Sequence, residues 1–210
     1  EEEIGSPNLP EFLKEHKDLL ACDIVLNPDA GMIAPEVPTI VYALRGMAYF
    51  ELRIHGPRQD LHSGIFGGVV HNPAIVLAEI IAGLHDKDGK VTWPGYYDMV
   101  RELSSEERAE LARLPLNARV YLVGARPTLE VNGLYSGFTG KGSKTIIPAW
   151  AMAKISMRLV PDQRPAEVHQ QLLKYLEEKA PNTIRWELIP MAGGPAAISY
   201  IHLPASKALF

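Results

Sequence analysis

The sequence predicts an α+β fold: one four-stranded antiparallel sheet with two helices on a single face, strung in the order β-α-β-β-α-β. Three observations carry this expectation. Residues 47–54 and 149–160 alternate apolar and polar side chains with the period of a strand that buries one face. Residues 74–85 and 167–178 carry apolar residues at helical spacing. Shorter runs at 129–134 and 184–189 supply the two remaining strands of a split-βαβ, ferredoxin-like sandwich. With 210 residues and 47% hydrophobic composition, the chain can bury a real core, as one domain or two small ones.

In order, residues 1–10 read as a polar turn region and 11–20 as a short helix offering Phe12, Leu13, Leu19 and Leu20 for packing. Asp23 to Leu26 is a candidate strand that ends in the turn Asn27-Pro28-Asp29-Ala30-Gly31. Thr39 to Leu44 is a further strand, and Arg45-Gly46 marks a domain boundary. From Met47, positions 47, 49, 51 and 53 share one face, while Ala48, Phe50, Leu52 and Ile54 share the other. Asn72 as N-cap and Pro73 at the first helical position open the helix of 74–85. The aromatic run Trp93 to Tyr97 suits a binding surface, a hinge or interface packing. Ser104 caps an exposed helix to Leu114, and 117–124 fits no element cleanly. A loop rich in Gly, Ser and Thr spans 136–145 before the long strand of 149–160. Pro165 then starts the second core helix, and Gly193-Gly194-Pro195 reads as a linker after the last strand.

Composition excludes several classes of function. The balance of 21 basic and 25 acidic residues gives a net charge of -4, so nothing argues for nucleic acid or an anionic membrane as partner. No apolar run is long enough to span a bilayer. The single cysteine, Cys22, rules out an internal disulfide framework and is expected to be a buried, idle thiol. Together with the lack of a targeting segment, it makes a cytoplasmic location the expectation. Gly64 to Gly68 lacks the Lys and Ser/Thr of a phosphate loop and the spacing of a dinucleotide fingerprint. There is neither an H-E-x-x-H helix nor a nucleophile elbow.

The most distinctive stretch is Gln59-Asp60-Leu61-His62-Ser63-Gly64-Ile65-Phe66-Gly67-Gly68. Glycines at this density beside a histidine suggest a tight turn that holds one imidazole outward, although a lone histidine before glycines is more often an ordinary turn residue. Asp29 reads first as an Asx turn or helix cap. Taken together, Glu2, Glu3, Asp29, His62 and Arg158 offer oxygen and nitrogen donors for a pair of zinc or manganese ions, with a guanidinium for an anionic substrate.

The chain resembles the M20 family of metallopeptidases, on the dipeptidase branch that includes carnosinase-like enzymes. The resemblance rests on Glu2-Glu3-Ile4-Gly5-Ser6, the segment 23–35, Leu44-Arg45-Gly46, Asp60-Leu61-His62-Ser63-Gly64, Asn72-Pro73-Ala74 and Gly95-Tyr96-Tyr97-Asp98. It continues through Arg126-Pro127-Thr128, Val131-Asn132-Gly133, residues 144–149 and Arg158-Leu159-Val160-Pro161, in the family's order. The resemblance implies that Glu2 is the general base that activates a metal-bridging water, and that Glu3 and Asp29 are metal ligands. It makes His62 a lid-domain histidine that reaches into the neighbouring protomer's site and steadies the developing oxyanion. Thr145 and Arg158 would hold the substrate's terminal carboxylate, with Asn132 a further substrate-side residue.

The family's upstream His-x-Asp motif, its bridging Asp and its last metal-binding His have no counterpart here. The expectation is therefore a catalytic-domain piece at 1–45, a lid or dimerisation domain at 46–194, and a return to the α/β catalytic domain at 195–210, near His202-Leu203-Pro204-Ala205. Such a piece is expected to be inactive alone and to retain no metal, whereas its parent would hold two divalent ions. The segment 116–127 looks shorter than in relatives, which leaves the register of 117–125 open. The parent is expected to be a homodimeric dipeptidase acting on small peptides with a free C-terminal carboxylate. The alternatives are an N-acyl amino acid amidohydrolase of the same family, or a purely dimerising structural module.

Overall fold

The computed structural model describes residues 6–23, 25, 35–36, 41, 43–113 and 124–198. The chain divides into two compact units, 1–42 and 43–210.

In the first unit, helix α1 spans Leu9–Glu15, with Pro10 in its first turn and no buried residue. It is shorter than the expected 11–20, because no buried face holds the chain helical beyond His16, where the backbone turns to φ -109° and ψ 25°. Cys22 is exposed, against the expectation of a buried thiol; Leu19 and Leu20 just before it are exposed too, so this stretch forms no core around the sulfur. The proposed strand at 23–26 and the turn bearing Asp29 fall largely outside the described residues.

The second unit holds the sheet. Its elements are β1 (Ala43–Leu44), β2 (Gly46–His55), β3 (Leu61–His62), α2 (Ser63–Phe66), α3 (Pro73–Ala82), α4 (Ser105–Ala112), β4 (Thr128–Ser136), β5 (Ile146–Ile147), β6 (Trp150–Leu159), α5 (Pro165–Lys179), β7 (Arg185–Gly194) and β8 (Ala197–Ile198). Strands β4-β6-β2-β7 form the four-stranded sheet, all pairings antiparallel. With α3 and α5, this is the β-α-β-β-α-β order expected from the sequence.

Alternation explains the core. Ala48, Phe50, Leu52 and Ile54 of β2 and Ala151, Ala153, Ile155, Met157 and Leu159 of β6 are buried on one face. The register sets Leu52 opposite Ala153 and Ile54 opposite Ala151, so large side chains meet small ones beneath the helices. Val76, Leu77 and Ile80 of α3 and Val168, Leu172, Tyr175 and Leu176 of α5 close that face. Asn72 caps α3 as expected, its Oδ1 accepting from Ala74 N at 2.9 Å. The helix stops at Gly83, short of the expected His85, which instead bridges Val91. Trp93 and Tyr96 are buried and meet edge to face at 5.1 Å, so these aromatics are core rather than a binding surface.

Two strand limits differ from expectation. Strand β7 runs through the glycine pair read as a linker, because Met191 forms a bulge that keeps Gly193 and Gly194 in register with Ala48 and Met47. Of the strand expected at 39–44, Ala43 and Leu44 pair with β8; residues 37–40 and 42 lie outside the described residues. Residues 114–123 lie outside them as well, and with them most of the segment 117–125 whose register was open, as do residues 199–210.

Candidate functional site

His62 ends strand β3 and serves as N-cap of the single-turn helix α2, with extended φ -74° and ψ 118°. Its Nδ1 accepts a hydrogen bond from Gly64 N at 3.1 Å. In the neutral ring the proton therefore sits on Nε2, which lies 3.2 Å from Thr145 Oγ1. A Cβ on Gly64 would stand 2.8 Å from His62 Cε1, so a side chain there would push the imidazole from this position.

The ribbon that carries this pair is tied at several points. His62 pairs with Ile146 and Leu61 with Ile147, while Ser63 N donates to Thr145 O at 2.9 Å. Asp60 Oδ1 accepts from Ala149 N at 2.9 Å, and Gly56 N donates to Ala149 O at 2.9 Å. Asp60 thus positions the histidine ribbon, a role that its place in the Asp-Leu-His-Ser-Gly motif did not reveal. Nε2–H therefore donates to Thr145 Oγ1, and since both residues are exposed, a ligand oxygen can take that proton in place of the hydroxyl.

Arg158 occupies the other end of the sheet. It lies eight positions along β6 from Trp150, about 26 Å at the usual rise of a strand. The His62–Thr145 ribbon leaves the sheet where β6 begins, so one copy of the chain brings His62 to Thr145 but not to Arg158. Asn132 is the extra residue of a bulge in edge strand β4, between Val131 and Gly133, and is exposed. Arg158 is exposed, faces away from the helices, and makes no ion pair among the described residues. Arg45, half-buried, has its charged form disfavoured first by burial and then by the nearby guanidinium of Arg158. The sequence marked Arg45 only as part of a domain boundary and of the Leu44-Arg45-Gly46 piece, not as a site residue.

The same open face carries a charge cluster in its middle. Glu51, whose side chain is 7% exposed, pairs with Arg53 at 2.5 Å and with Lys154, directly opposite it on β6. These two partners, Lys154 first, hold the Glu51 carboxyl below its ordinary value.

Glu2, Glu3 and Asp29 lie outside the described residues. Among the described residues, no group of three or more His, Cys, Asp or Glu is placed to hold a metal ion. Nor is any helix among them long and apolar enough to cross a membrane.

Residues 42–184 match the family described as a peptidase dimerisation domain. The Cys-Gly metallodipeptidase DUG1 of Saccharomyces cerevisiae is 34% identical over 214 residues, covering 90% of this chain and 44% of the yeast protein. The human Beta-Ala-His dipeptidase is 31% identical over 84% of this chain and 39% of its own length. Among solved structures, human carnosine dipeptidase 1 superposes with a TM-score of 0.81 at 28% identity, covering 94% of this chain and 47% of that one. An M20 family metallo-carboxypeptidase from Sulfolobus solfataricus gives a TM-score of 0.72 at 37% identity, with 88% of this chain and 47% of the other covered. The chain thus spans less than half the length of these relatives. Its sheet, its helices and the match over 42–184 establish that it belongs to the M20 family of metallopeptidases, on the dipeptidase branch.

Proposed function

We propose that this chain carries the lid of a metal-dependent dipeptidase that hydrolyses the amide bond of small peptides with a free C-terminal carboxylate. The observation that carries the reading is the arrangement of His62: Nδ1 accepts from Gly64 N, and Nε2–H donates to the exposed Thr145 hydroxyl, a neutral acceptor that a charged oxygen can replace. A fixed imidazole donor is suited to the oxyanion that forms as an amide carbonyl becomes tetrahedral. The Arg158 guanidinium, open and without a carboxylate partner among the described residues, is suited to a terminal carboxylate.

These two side chains stand at opposite ends of one sheet. A dipeptide extends for only about 7 Å, so it cannot touch both within one copy. The proposal is therefore a homodimer formed through the lid domain, with His62 and Thr145 entering the site of the second copy and Arg158 and Asn132 serving their own. In this reading Glu3 and Asp29 hold two divalent ions together with ligands outside this chain, and Glu2 is the general base. The metals, when bound, supply an activated water and polarise the carbonyl. A cytoplasmic location belongs to the same proposal and rests on the use of a single cysteine.

The test is turnover by the longer parent protein, dialysed against zinc or manganese, on a panel of dipeptides and N-acyl amino acids. Hydrolysis of dipeptides with two ions per protomer is the expected result. Cleavage of acylated amino acids alone would make it an amidohydrolase, and a stable dimer with no turnover on either class would leave only the structural role.

A further inference from the structure

Arg45 sits between two pairings of one continuous run of chain. On its N-terminal side β1 pairs with β8, Leu44 opposite Ala197; on its C-terminal side β2 begins with Gly46 opposite Leu159. The segment 194–196 passes so near that a Cβ on Gly46 would lie 2.6 Å from Ala196 N and 2.7 Å from Gly194 O. The backbone that carries Arg45 is therefore held on both sides. Alternation from Met47 puts Arg45 on the face away from the helices, and Met47 is directly opposite Arg158, so both guanidinium groups rise from the same end of the same face.

Like charges gathered this way ordinarily have an anion between them, and none is built in among the described residues. Neither arginine makes an ion pair among the described residues. The carboxylate one row away, Glu130 opposite Ser156, pairs with neither, and Glu51 is taken by Arg53 and Lys154. The fold thus keeps two cations together, one of them half-buried, with no anionic partner among the described residues. A carboxylate has lone pairs for more than one guanidinium fork, and a half-buried cation binds it with less competition from water.

We propose that Arg45 and Arg158 together form a two-guanidinium cradle for one carboxylate, Arg158 meeting the anion from the solvent side and Arg45 from beneath. This rests on the reading of Arg158 as the group that holds a peptide's terminal carboxylate, and it adds Arg45 as a second substrate-binding residue that sets specificity for a free C-terminus.

In the longer enzyme, Arg45→Gln is expected to raise KM for a dipeptide by about ten- to a hundredfold, the value of a charge-assisted contact, with a smaller change in kcat. On the same dipeptide amidated at its C-terminus, wild type and Arg45→Gln should behave alike, and Arg45→Lys should recover part of the loss on the free acid. An unchanged KM, or an equal loss on the amidated substrate, overturns the cradle. A second measurement is independent of turnover: acetate titrated into the present chain, followed by the NMR signals of the arginine Nε–H groups. Arg45 and Arg158 should saturate together, and Arg45→Gln should weaken the response of Arg158; independent responses overturn the proposal. If the wild-type enzyme hydrolyses no peptide, the functional reading falls and the acetate titration still decides the cradle.

Discussion

At the scale of single residues, His62 is placed by its neighbours' backbone rather than by its own packing. The Gly64 N–H selects the tautomer, and the absence of a Cβ on Gly64 leaves room for the ring. Gly64→Ala in the parent enzyme should therefore lower kcat by about a hundredfold, the cost of displacing a catalytic group by roughly an ångström. His62→Ala should lose a comparable or larger factor. Because the site is exposed, thermal unfolding of both variants should match the wild type, and calorimetry beside steady-state kinetics checks this. Glu51 gives a separate prediction about pH. Its folded pKa lies below its ordinary value of 4.5, so its ion pairs contribute fully above that pH, and their contribution fades as pH falls through the lowered value. Glu51→Gln should be less stable than wild type at neutrality, and the gap should narrow on acidification below pH 4.5, as read from melting temperature against pH.

At the scale of elements, two helix caps with similar chemistry should differ in consequence. Asn72 caps α3, which buries Pro73, Val76, Leu77 and Ile80 in the core. Ser104 and Glu107 form a full capping box on α4, which buries nothing. Asn72→Ala should cost about 1 kcal/mol of global stability. Ser104→Ala should loosen α4 alone, raising amide exchange in 105–112 without shifting the denaturant midpoint. The strength of a cap is local, but whether the whole fold feels it depends on what the helix packs against. The same distinction explains α1, where a good local helix signal ends early for want of a buried face.

At the scale of the whole molecule, the sheet is a spacer. Strand β6 is long enough to set the histidine ribbon and Arg158 about 26 Å apart, so the proposed site needs two copies. Co-expression of a His62→Ala parent with an Arg158→Ala parent should restore turnover, because a mixed dimer contains one site with both groups intact. No restoration, with mixed dimers shown to form, would mean that both groups serve one site in one chain.

The strict alternation in 46–55 and 150–159, the apolar stripes of α3 and α5 and the Asn72-Pro73 start of α3 were legible in the sequence, because each is a local pattern with one physical reading. So was the turn that holds the His62 imidazole outward, from the glycines that follow it. Other features depend on partners far away in the chain. The glycine pair at 193–194 is a strand only because β2 lies beside it, and Trp93 is core because Tyr175 of α5 packs against it. Asp60 matters through Ala149, and Arg45 through Arg158. Local sequence thus determined the elements, the buried face and the candidate imidazole. Only the tertiary structure decided which functional groups meet, since register and strand length, not spacing along the chain, set the distances between them.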